Sequence, residues 1–575
     1  MRDLKPFVRN GSGGWLRDLL FLVVCLGIPF FQYLGQLPLI DPDEGRYAEI
    51  PREMLERGDL ITPTLNYVKY FEKPPLLYWI NAASMKIFGL NEFAARFPSA
   101  LCGLLTVLVT YVIARKLYGR RTAILSALIL GTSAGFVLQS RIILTDMLLT
   151  FCLTAALGAF IVAVRREGRR SRPLPWYLFY FFCACAVLAK GLIGMVFPAA
   201  ILFFYFLLIR RWRLLGEMRL ASGLLLFLAV AAPWFIAVSL RNPEFARFFF
   251  IHEHFERFTS TVHGRYQPFW FFVPVLIGTM LPWSFFIPGA LVRAWRDRHH
   301  EEGRPGIYLL IWTVLIFLFF SKSSSKLVPY ILPIFPPLAI LIGHRIDQLS
   351  DGRGREIKGA ALALGMVLLA AGTVFLAYTR LPQLAALLKD LRPAWSAFLQ
   401  QFVQPVPVIS TAAAMVLGGL FLFQGGGTLR TAGRNPLRMF VVLCIGSFLL
   451  EILVPRLILG KLLHAESPRE LALKAVALAG PDTVMATVGP MQGVSWYTGR
   501  RVLVTSERDE LDFGSRQGDQ SAWFPEPQAF IALWGGEKHV LMFLKKSELS
   551  YLKSILKPEP VIKAEDGQRL LISNR

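Results

Sequence analysis

The stretch DPDEGRYAEIPREMLERGDLITPTLNYVKYFEKPP, residues 41–75, directly follows the first long apolar run of the chain. It joins an acidic turn, an amphipathic segment over 43–57, and the charged pair Glu72-Lys73 ahead of two prolines. The prolines restrict the backbone beside this charged pair. A concentration of charge next to an apolar run predicts a functional site at a membrane surface. The rest of the chain is then the scaffold that presents this site.

The composition predicts that this scaffold is a set of membrane helices. Of the 575 residues, 54% are hydrophobic, and the mean hydropathy of +0.49 is too high for a soluble protein of this size. Apolar runs of about 20 residues recur along the chain and predict a polytopic α-helical membrane protein with thirteen transmembrane helices. The predicted helices cover residues 19–37, 94–114, 122–139, 146–164, 175–189, 191–209, 220–240, 269–291, 306–321, 327–343, 359–378, 405–425 and 439–458.

The distribution of Lys and Arg predicts the orientation of these helices. The net charge is +23, and basic residues concentrate in alternate connections such as ARKLYGRR and RREGRRSR, which are expected to face the cytoplasm. The N-terminus is then cytoplasmic, and thirteen crossings place the C-terminus outside. No cleavable signal peptide is expected at the first apolar run. The positive charge is interpreted as a topology signal and a contact with anionic lipid, so no nucleic acid partner is predicted.

The chain changes character after about residue 459. Short segments with the pattern of strands replace the long apolar runs, at 483–489, 500–506, 539–546 and 569–574, and a helix is predicted over 549–556. The predicted organisation is therefore a transmembrane domain over 1–459, with an outer loop at 38–93, and a small outer α/β domain over 460–575.

Asp43 lies just beyond the outer end of the first predicted membrane helix. A carboxylate at this position could act as a general base or bind a cationic group. Alternatively, Asp41-Pro42 and the acids that follow would cap the segment 43–57 and suit its helix dipole. The two interpretations are compatible.

Four further candidates flank apolar runs on the outer side. Lys73 could bind a phosphate and Glu72 a cation, although an interfacial anchor with an incidental ion pair is the alternative. Asp146 begins a predicted helix, where it could be functional or a cap. Lys190 stands between two apolar runs, where a lone charge is costly unless it is used.

The segment FFFIHEHFERF over 248–258 supplies candidates for metal and phosphate binding. His252 or His254 could bind a divalent ion together with Glu72, although an HxH pair does this more naturally on an extended segment than on a helix. Arg257 suits a phosphate because its guanidinium fork matches phosphate oxygens. Tyr330 could donate a hydrogen bond to a phosphate or belong to the aromatic belt of the membrane. The predicted topology places all these residues on the outer face.

The motifs DPDEGRYAEIPREML, FEKPPLLYW, FAARFPSAL, SRIILTDMLLT, AKGLIG, HEHFERF and KLVPYILPIFPPLA together resemble the bacterial aminoarabinose transferase family that modifies lipid A. That family is a branch of the protein-mannosyltransferase-like GT-C glycosyltransferases. The resemblance covers roughly residues 15–350 with ordered motifs and the remainder in layout only. It implies the GT-C fold in the bacterial inner membrane, a periplasmic C-terminal domain, an undecaprenyl-phosphate-linked sugar as donor and lipid A as acceptor.

The resemblance also implies roles for particular residues. Asp43, Asp146 and Glu72 would be the catalytic carboxylates. A zinc ion held by Glu72 and either His252 or His254 is implied as well, without being required. The residues expected to contact the donor phosphate are Lys73, Arg257, Lys190, Tyr330, Arg46 and Tyr47.

Three functions stay open from the sequence. Transfer of an amino sugar to a lipid A phosphate, with inversion, is favoured by the resemblance. The nearest alternative is a polyprenyl-phosphate-sugar transferase acting on protein or glycan hydroxyls, in which Asp43 would be the base. A lipid-linked sugar flippase is less favoured, because polar residues within the predicted helices are few and cluster at one face.

Overall fold

The computed structural model describes residues 14–164, 173–256, 267–300, 304–349, 358–380, 411–432, 435–456 and 467–575. Helices make up most of the chain through residue 456, and a small mixed sheet occupies the last part. Within these described residues, each of the thirteen predicted apolar runs overlaps a helix or two successive helices. Residues 405–410 and 457–458 of two of the runs lie outside the described part.

The helices before the π-helix at Arg247–Glu256 range in length from 4 to 27 residues. They are α1 (Trp15–Phe31), α2 (Asp43–Arg57), α3 (Leu76–Phe88), α4 (Glu92–Tyr118), α5 (Arg120–Gly131), α6 (Ala134–Ser140), α7 (Thr145–Val164), α8 (Leu174–Lys190), α9 (Ile193–Ile209), α10 (Leu214–Glu217) and α11 (Leu220–Arg241).

The helical part continues with further apolar helices and with 3-10 turns. The 3-10 turns cover Phe269–Phe271, Trp283–Phe286, Asp297–His299 and Val328–Ile334. The helices are α12 (Phe272–Thr279), α13 (Ile287–Arg296), α14 (Arg304–Lys322), α15 (Phe335–Leu349), α16 (Lys358–Arg380), α17 (Thr411–Thr431) and α18 (Pro436–Val454).

Within the described ranges, six helices are long and apolar enough to cross a membrane. The number rises to eight when two bent pairs count as one span each: α5 with α6, bent by 65°, and Phe269–Thr279 with Trp283–His299, bent by 113°. Helices α8 and α9 have 17 residues each, fewer than the roughly 20 that an upright span needs. The structure therefore shows a helical architecture of the membrane type, while thirteen crossings stay a prediction.

The outer loop at 38–93 is an ordered structure and not a simple connector. It contains α2, the short hairpin of β1 (Thr64–Leu65) and β2 (Val68–Lys69), and α3. The predicted amphipathic segment 43–57 is confirmed as α2. Its first turn carries acids, and it ends at Gly58, whose φ of +65° is the left-handed conformation that a glycine allows at a helix end.

The C-terminal part is an α/β domain with a five-stranded sheet. Its strands are β3 (Val484–Thr487), β4 (Leu503–Val504), β5 (Val540–Lys545), β6 (Val561–Asp566) and β7 (Arg569–Ser573), in the order β4-β3-β5-β7-β6. Strand β3 runs parallel to β4 and β5, and β7 runs antiparallel to β5 and β6. Its helices are α19 (Arg469–Leu478), α20 (Gln492–Thr498), α21 (Asp512–Ser515), α22 (Pro527–Trp534) and α23 (Leu549–Ile555).

The C-terminal domain rests on the outer loop through direct hydrogen bonds. The Asn66 side chain donates to the carbonyl of Val502 at 2.7 Å and accepts from the Val502 amide at 2.9 Å. The Leu39 amide donates to the Tyr497 hydroxyl at 2.8 Å. The outer loop is therefore held between the membrane-type helices and the C-terminal domain.

One close approach between the two parts lies at α2 and α20. The Gly493 amide donates to the Asp41 carboxylate at 2.7 Å. A Cβ on Gly45 would overlap both that carboxylate and the backbone of Gly493. Glycine at position 45 therefore lets α20 pack directly on α2.

Candidate functional site

Side chains from four separate segments line one open cavity of about 180 Å³. The segments are the outer loop, the junction of α8 and α9, the π-helix, and the region where α14 leads into the 3-10 turn at Val328–Ile334. Four residues predicted from the sequence, Glu72, Lys73, Lys190 and Tyr330, meet here. The complete lining is Glu72, Lys73, Lys190, Ile193, Glu253, Phe319, Phe320, Ser323, Ser325 and Tyr330.

Lys73 is held at this cavity by its own backbone neighbour and by two carboxylates. Its Nζ donates to the carbonyl oxygen of Glu72 at 2.8 Å. The same Nζ lies 3.3 Å from Oε2 of Glu253 and 3.9 Å from Oε2 of Glu72. The ammonium is thus positioned at the cavity wall by contacts that a free lysine on a surface would lack.

Lys190 and Asp146 form an ion pair beside Lys73's cavity. Lys190 is the last residue of α8 and Asp146 lies in the first turn of α7. A cation at a helix C-terminus and an anion at a helix N-terminus are each favoured by the helix dipole. The Lys190 ammonium also lies 4.6 Å from the centre of the Tyr330 ring, within the range of a cation–π contact.

Asp43 and Glu44 point in different directions from the start of α2. The Glu44 carboxylate is fully buried and accepts hydrogen bonds from Arg96 at 2.8 and 2.5 Å. The side chain of Asp43 is 44% exposed and pairs with Arg46 three residues later. Asp43 is the first residue of α2 and suits its helix dipole. The predicted side-chain cap is wrong, because no side chain caps this helix and the Asp41 carboxylate instead accepts a hydrogen bond from Gly493. The Asp43 carboxylate stays accessible to a ligand.

Arg46 and Tyr47 lie beneath the accessible carboxylate and do not line the cavity described above. The Arg46 guanidinium lies 4.9 Å from the centre of the Tyr47 ring, and this ring stacks on Tyr78 at 6.1 Å. Burial raises the pKa of Tyr47 above its ordinary value. The charge of Arg46 opposes this rise, and the charges of the three catalytic candidates Asp43, Glu72 and Asp146 add to it. The Tyr47 hydroxyl therefore stays protonated at neutral pH.

Part of the predicted set lies outside the described residues. This applies to all of Arg257 and to the side chains of His252 and His254. Among the side chains that are described, no three His, Cys, Asp or Glu residues converge to hold a metal ion. The carboxylates of Glu72 and Glu253 instead lie around the Lys73 ammonium. The zinc interpretation stays a prediction.

The structure adds residues that the sequence did not single out. Glu253, Ser323 and Ser325 line the cavity, and Glu510 of the C-terminal domain forms an ion pair with Arg46. Glu253 belongs to the HEH motif and could have been found there. No local pattern around Glu510 points to Arg46, because the two residues lie far apart in the sequence.

Two family models match this chain. The model described as dolichyl-phosphate-mannose-protein mannosyltransferase matches residues 37–249. The model described as aminoarabinose transferase C-terminal domain matches residues 471–574. The first match covers the outer loop and the helices that carry Asp146 and Lys190, and the second covers the α/β domain.

A solved structure shares almost the entire fold. The crystal structure of ArnT from Cupriavidus metallidurans bound to undecaprenyl phosphate is 28% identical, with a TM-score of 0.82, over 98% of this chain and 99% of that one. The apo oligosaccharyltransferase of Archaeoglobus fulgidus has a TM-score of 0.51 at 13% identity, over 92% of this chain and 70% of that one. The second likeness concerns the fold alone, which is the GT-C fold.

Curated relatives extend over most of the sequence. The undecaprenyl phosphate-α-4-amino-4-deoxy-L-arabinose arabinosyl transferase of Pseudomonas aeruginosa (strain UCBPP-PA14) is 32% identical over 500 residues, which are 86% of each chain. The enzyme of the same name from Aeromonas salmonicida (strain A449) is 39% identical over 360 residues, 61% of this chain and 63% of its own. This chain therefore belongs to the undecaprenyl phosphate-aminoarabinose arabinosyl transferase family of glycosyltransferases.

Proposed function

We propose that this enzyme transfers 4-amino-4-deoxy-L-arabinose from undecaprenyl phosphate to a phosphate of lipid A, with inversion at the sugar carbon. One observation carries the proposal: Lys73, Lys190 and Tyr330 meet at a single cavity in a chain of this family. Two ammonium groups and a tyrosine suit a phosphate-bearing ligand, and a relative of the same fold binds undecaprenyl phosphate.

We place the enzyme in the bacterial inner membrane with thirteen crossings and a cytoplasmic N-terminus. The support is the alternation of Lys- and Arg-rich connections along the sequence. In this arrangement the cavity, the outer loop and the C-terminal α/β domain all face the periplasm.

The cavity residues are assigned to the donor. Lys73 and Lys190 would balance the charge that grows on the departing undecaprenyl phosphate, and Tyr330 would orient it. Arg257 is assigned to the same phosphate. Arg46 and Tyr47 are also assigned to the donor, although they do not line the cavity. Arg46 pairs with Asp43, and Tyr47 supports the Arg46 guanidinium through a cation–π contact.

The transfer needs no general base when the acceptor is a phosphate. A phosphate is already an anion at neutral pH, whereas a hydroxyl must lose a proton. An oxygen of the acceptor phosphate forms the new bond to the sugar carbon. The bond from that carbon to the donor phosphate breaks, and its electron pair stays on the departing phosphate. Asp43 then holds the ammonium of the amino sugar or orients the acceptor.

A second cavity favours an anionic acceptor over a hydroxyl. It has a volume of about 500 Å³ and lies between the outer loop, the end of α11 and the C-terminal domain. Its lining contains the three cations Arg57, Lys69 and Arg241 and the single acid Asp59. Arg57 and Arg241 lie 3.9 and 3.3 Å from Asp59, and Lys69 lies 2.5 Å from Glu244. The three cations are therefore held in place by only two carboxylates.

No step of this proposal passes through a metal ion. Zinc held by Glu72 with His252 or His254 is the alternative, which elemental analysis of the purified protein and activity after chelation would test. Bound zinc together with chelator-sensitive transfer would require a metal in the mechanism.

Mass spectrometry of lipid A tests the proposed function. The protein is supplied to a host that makes the aminoarabinose donor and lacks its own transferase. We expect lipid A to gain the mass of one aminopentose with the wild-type protein, and to lose it with Asp43→Ala. The exposed Asp519→Ala is the matched control and should behave as wild type. Unmodified lipid A in a host confirmed to hold the donor would contradict the proposal.

A further inference from the structure

Arg46 is held between one carboxylate of the outer loop and one of the C-terminal domain. One Nη atom pairs with Asp43 and the other pairs with Glu510. Arg46 is 4% exposed, and the side chain of Glu510 is 10% exposed. A buried guanidinium is costly unless its charge is matched, and paired, charge-assisted hydrogen bonds match it best.

The segment that carries Glu510 is anchored by aromatic packing against the π-helix and against the outer loop. Glu510 lies in the 3-10 turn Asp509–Leu511, directly before α21. The ring of Phe513 lies 4.0 Å from that of Phe248 in the π-helix and 5.9 Å from that of Phe71 in the outer loop. The Glu510 carboxylate is therefore presented to Arg46 by a fixed part of the C-terminal domain.

The sharing of Arg46 affects how much negative charge Asp43 presents. A guanidinium bound to Asp43 alone would neutralise that carboxylate and turn it toward the protein. Because the Glu510 carboxylate binds the other Nη atom, Arg46 neutralises less of the charge of Asp43. Asp43 is then left accessible and available to a ligand, as its 44% exposure indicates.

We propose that Glu510 is a positioning residue, which acts through Arg46 on Asp43, and that the C-terminal domain thereby completes the active site. The inference rests on the proposed function, because it assigns Asp43 to the sugar or the acceptor. Glu510 does not line the donor cavity, so it should govern turnover more than donor binding.

Steady-state kinetics on the full-length protein in detergent test this role. Glu510→Gln keeps the shape and an acceptor oxygen but removes the charge. We expect kcat to fall about tenfold to a hundredfold, the loss typical of a misplaced reacting group, with a nearly unchanged KM for the donor. Glu510→Asp should restore part of the activity. The exposed Glu507→Gln, three residues earlier, is the matched control and should match wild type.

A double-mutant comparison separates positioning from docking. In an Arg46→Lys background, Glu510→Gln should cause no further fall in kcat if it acts through Arg46. Effects that multiply independently would overturn the proposal, and so would wild-type turnover in Glu510→Gln. Hydrogen exchange at Leu39 and Gly493 should stay slow in the variant, and loss of that protection would show a merely structural role. Absence of transfer by the wild-type protein would instead contradict the proposed function.

Discussion

Neighbouring acidic residues on α2 have distinct tasks because successive helical positions face different surroundings. Glu44 accepts hydrogen bonds from Arg96 and from the Ile40 amide and is a structural residue. Asp43, one position earlier, stays accessible beside Arg46. Further along the helix, Glu49 and Glu53 are both buried, and only Glu49 is paired with Arg52, at 2.7 and 2.6 Å.

The buried Glu53 should make the stability of the protein fall as the pH rises toward 8. Burial and the nearby charge of Glu49 raise the pKa of Glu53 from 4.5 to about 8. Between pH 4.5 and about 8, the folded protein therefore keeps a proton on Glu53 that the unfolded chain loses. In this pH range the free energy of unfolding falls by at most about 1.4 kcal/mol per pH unit. Glu53→Gln should flatten this dependence, as melting temperatures from pH 6 to 9 would show.

The control for this prediction is Glu537→Gln, because Glu537 is exposed. Its melting temperature should follow the wild-type pH profile. Parallel profiles for Glu53→Gln and wild type would show that Glu53 is ionised in the folded protein and would contradict the prediction.

The pair of Asp146 and Lys190 should show strong coupling in stability. Lys190→Met leaves the buried Asp146 carboxylate without its ammonium partner, which should lower the free energy of unfolding by roughly 1–3 kcal/mol. Adding Asp146→Asn should recover much of that loss, although transfer stays impaired in both variants. Chemical denaturation in detergent measures the free energy of unfolding of each variant. The exposed pair Arg516 and Asp512 supplies the control, since breaking it should cost little. Additive losses at Asp146 and Lys190 would exclude coupling.

Single residues of the site were predictable wherever a charge stood next to an apolar run. Glu72, Lys73, Asp146 and Lys190 were found in this way, because a charge at the membrane boundary is costly and therefore informative. Glu510 and the two serines of the SKSSSK segment carry no such signal. Their role depends on contacts between distant segments, which a single sequence does not reveal.

At the scale of elements, the long helices and most strands were predictable from hydrophobic periodicity. The predicted strands at 483–489, 500–506, 539–546 and 569–574 all contain observed strands. Strand β6 was missed because it is an edge strand, mostly exposed and carrying Lys563, Glu565 and Asp566. Helix lengths were less predictable, since bends within the apolar runs divide two of them.

The contact of α2 with α20 should depend on the absence of a side chain at Gly45. Alanine normally favours a helix over glycine by about 1 kcal/mol. Gly45→Ala should nevertheless lower the melting temperature and speed hydrogen exchange at Gly493, because its Cβ would overlap Asp41 and Gly493. Gly27→Ala in α1 is the control, since nothing lies within 4 Å of its Cβ position. Equal exchange at Gly493 in both variants would contradict the close packing.

At the scale of the whole molecule, the outer loop is a layer between two larger bodies. Its lower side packs on the helical part, where α3 contacts α4, and its upper side receives Asn66–Val502 and Asp41–Gly493 contacts. Both candidate cavities open at this layer. The proposed orientation can be tested independently of activity, because it assigns opposite sides of the membrane to particular exposed positions.

Ser554→Cys in α23 and Glu217→Cys in α10 should differ in their reaction with a membrane-impermeant maleimide. Both positions are exposed, and the proposed topology places the first in the periplasm and the second in the cytoplasm. In intact spheroplasts of cells expressing variants without native cysteines, only Ser554→Cys should be labelled. Both should react after lysis, which is the control. Labelling of Glu217→Cys in intact spheroplasts would reverse the orientation.

The fit of α20 against α2 has a pharmacological consequence. An inhibitor that binds in the donor cavity must bind more tightly than a donor with a long lipid chain. A small molecule wedged between Gly45 and Gly493 would instead pull Glu510 away from Arg46 and leave Asp43 engaged by its own arginine. Such an inhibitor would be noncompetitive toward the undecaprenyl substrate, so an abundant supply of donor would not relieve it.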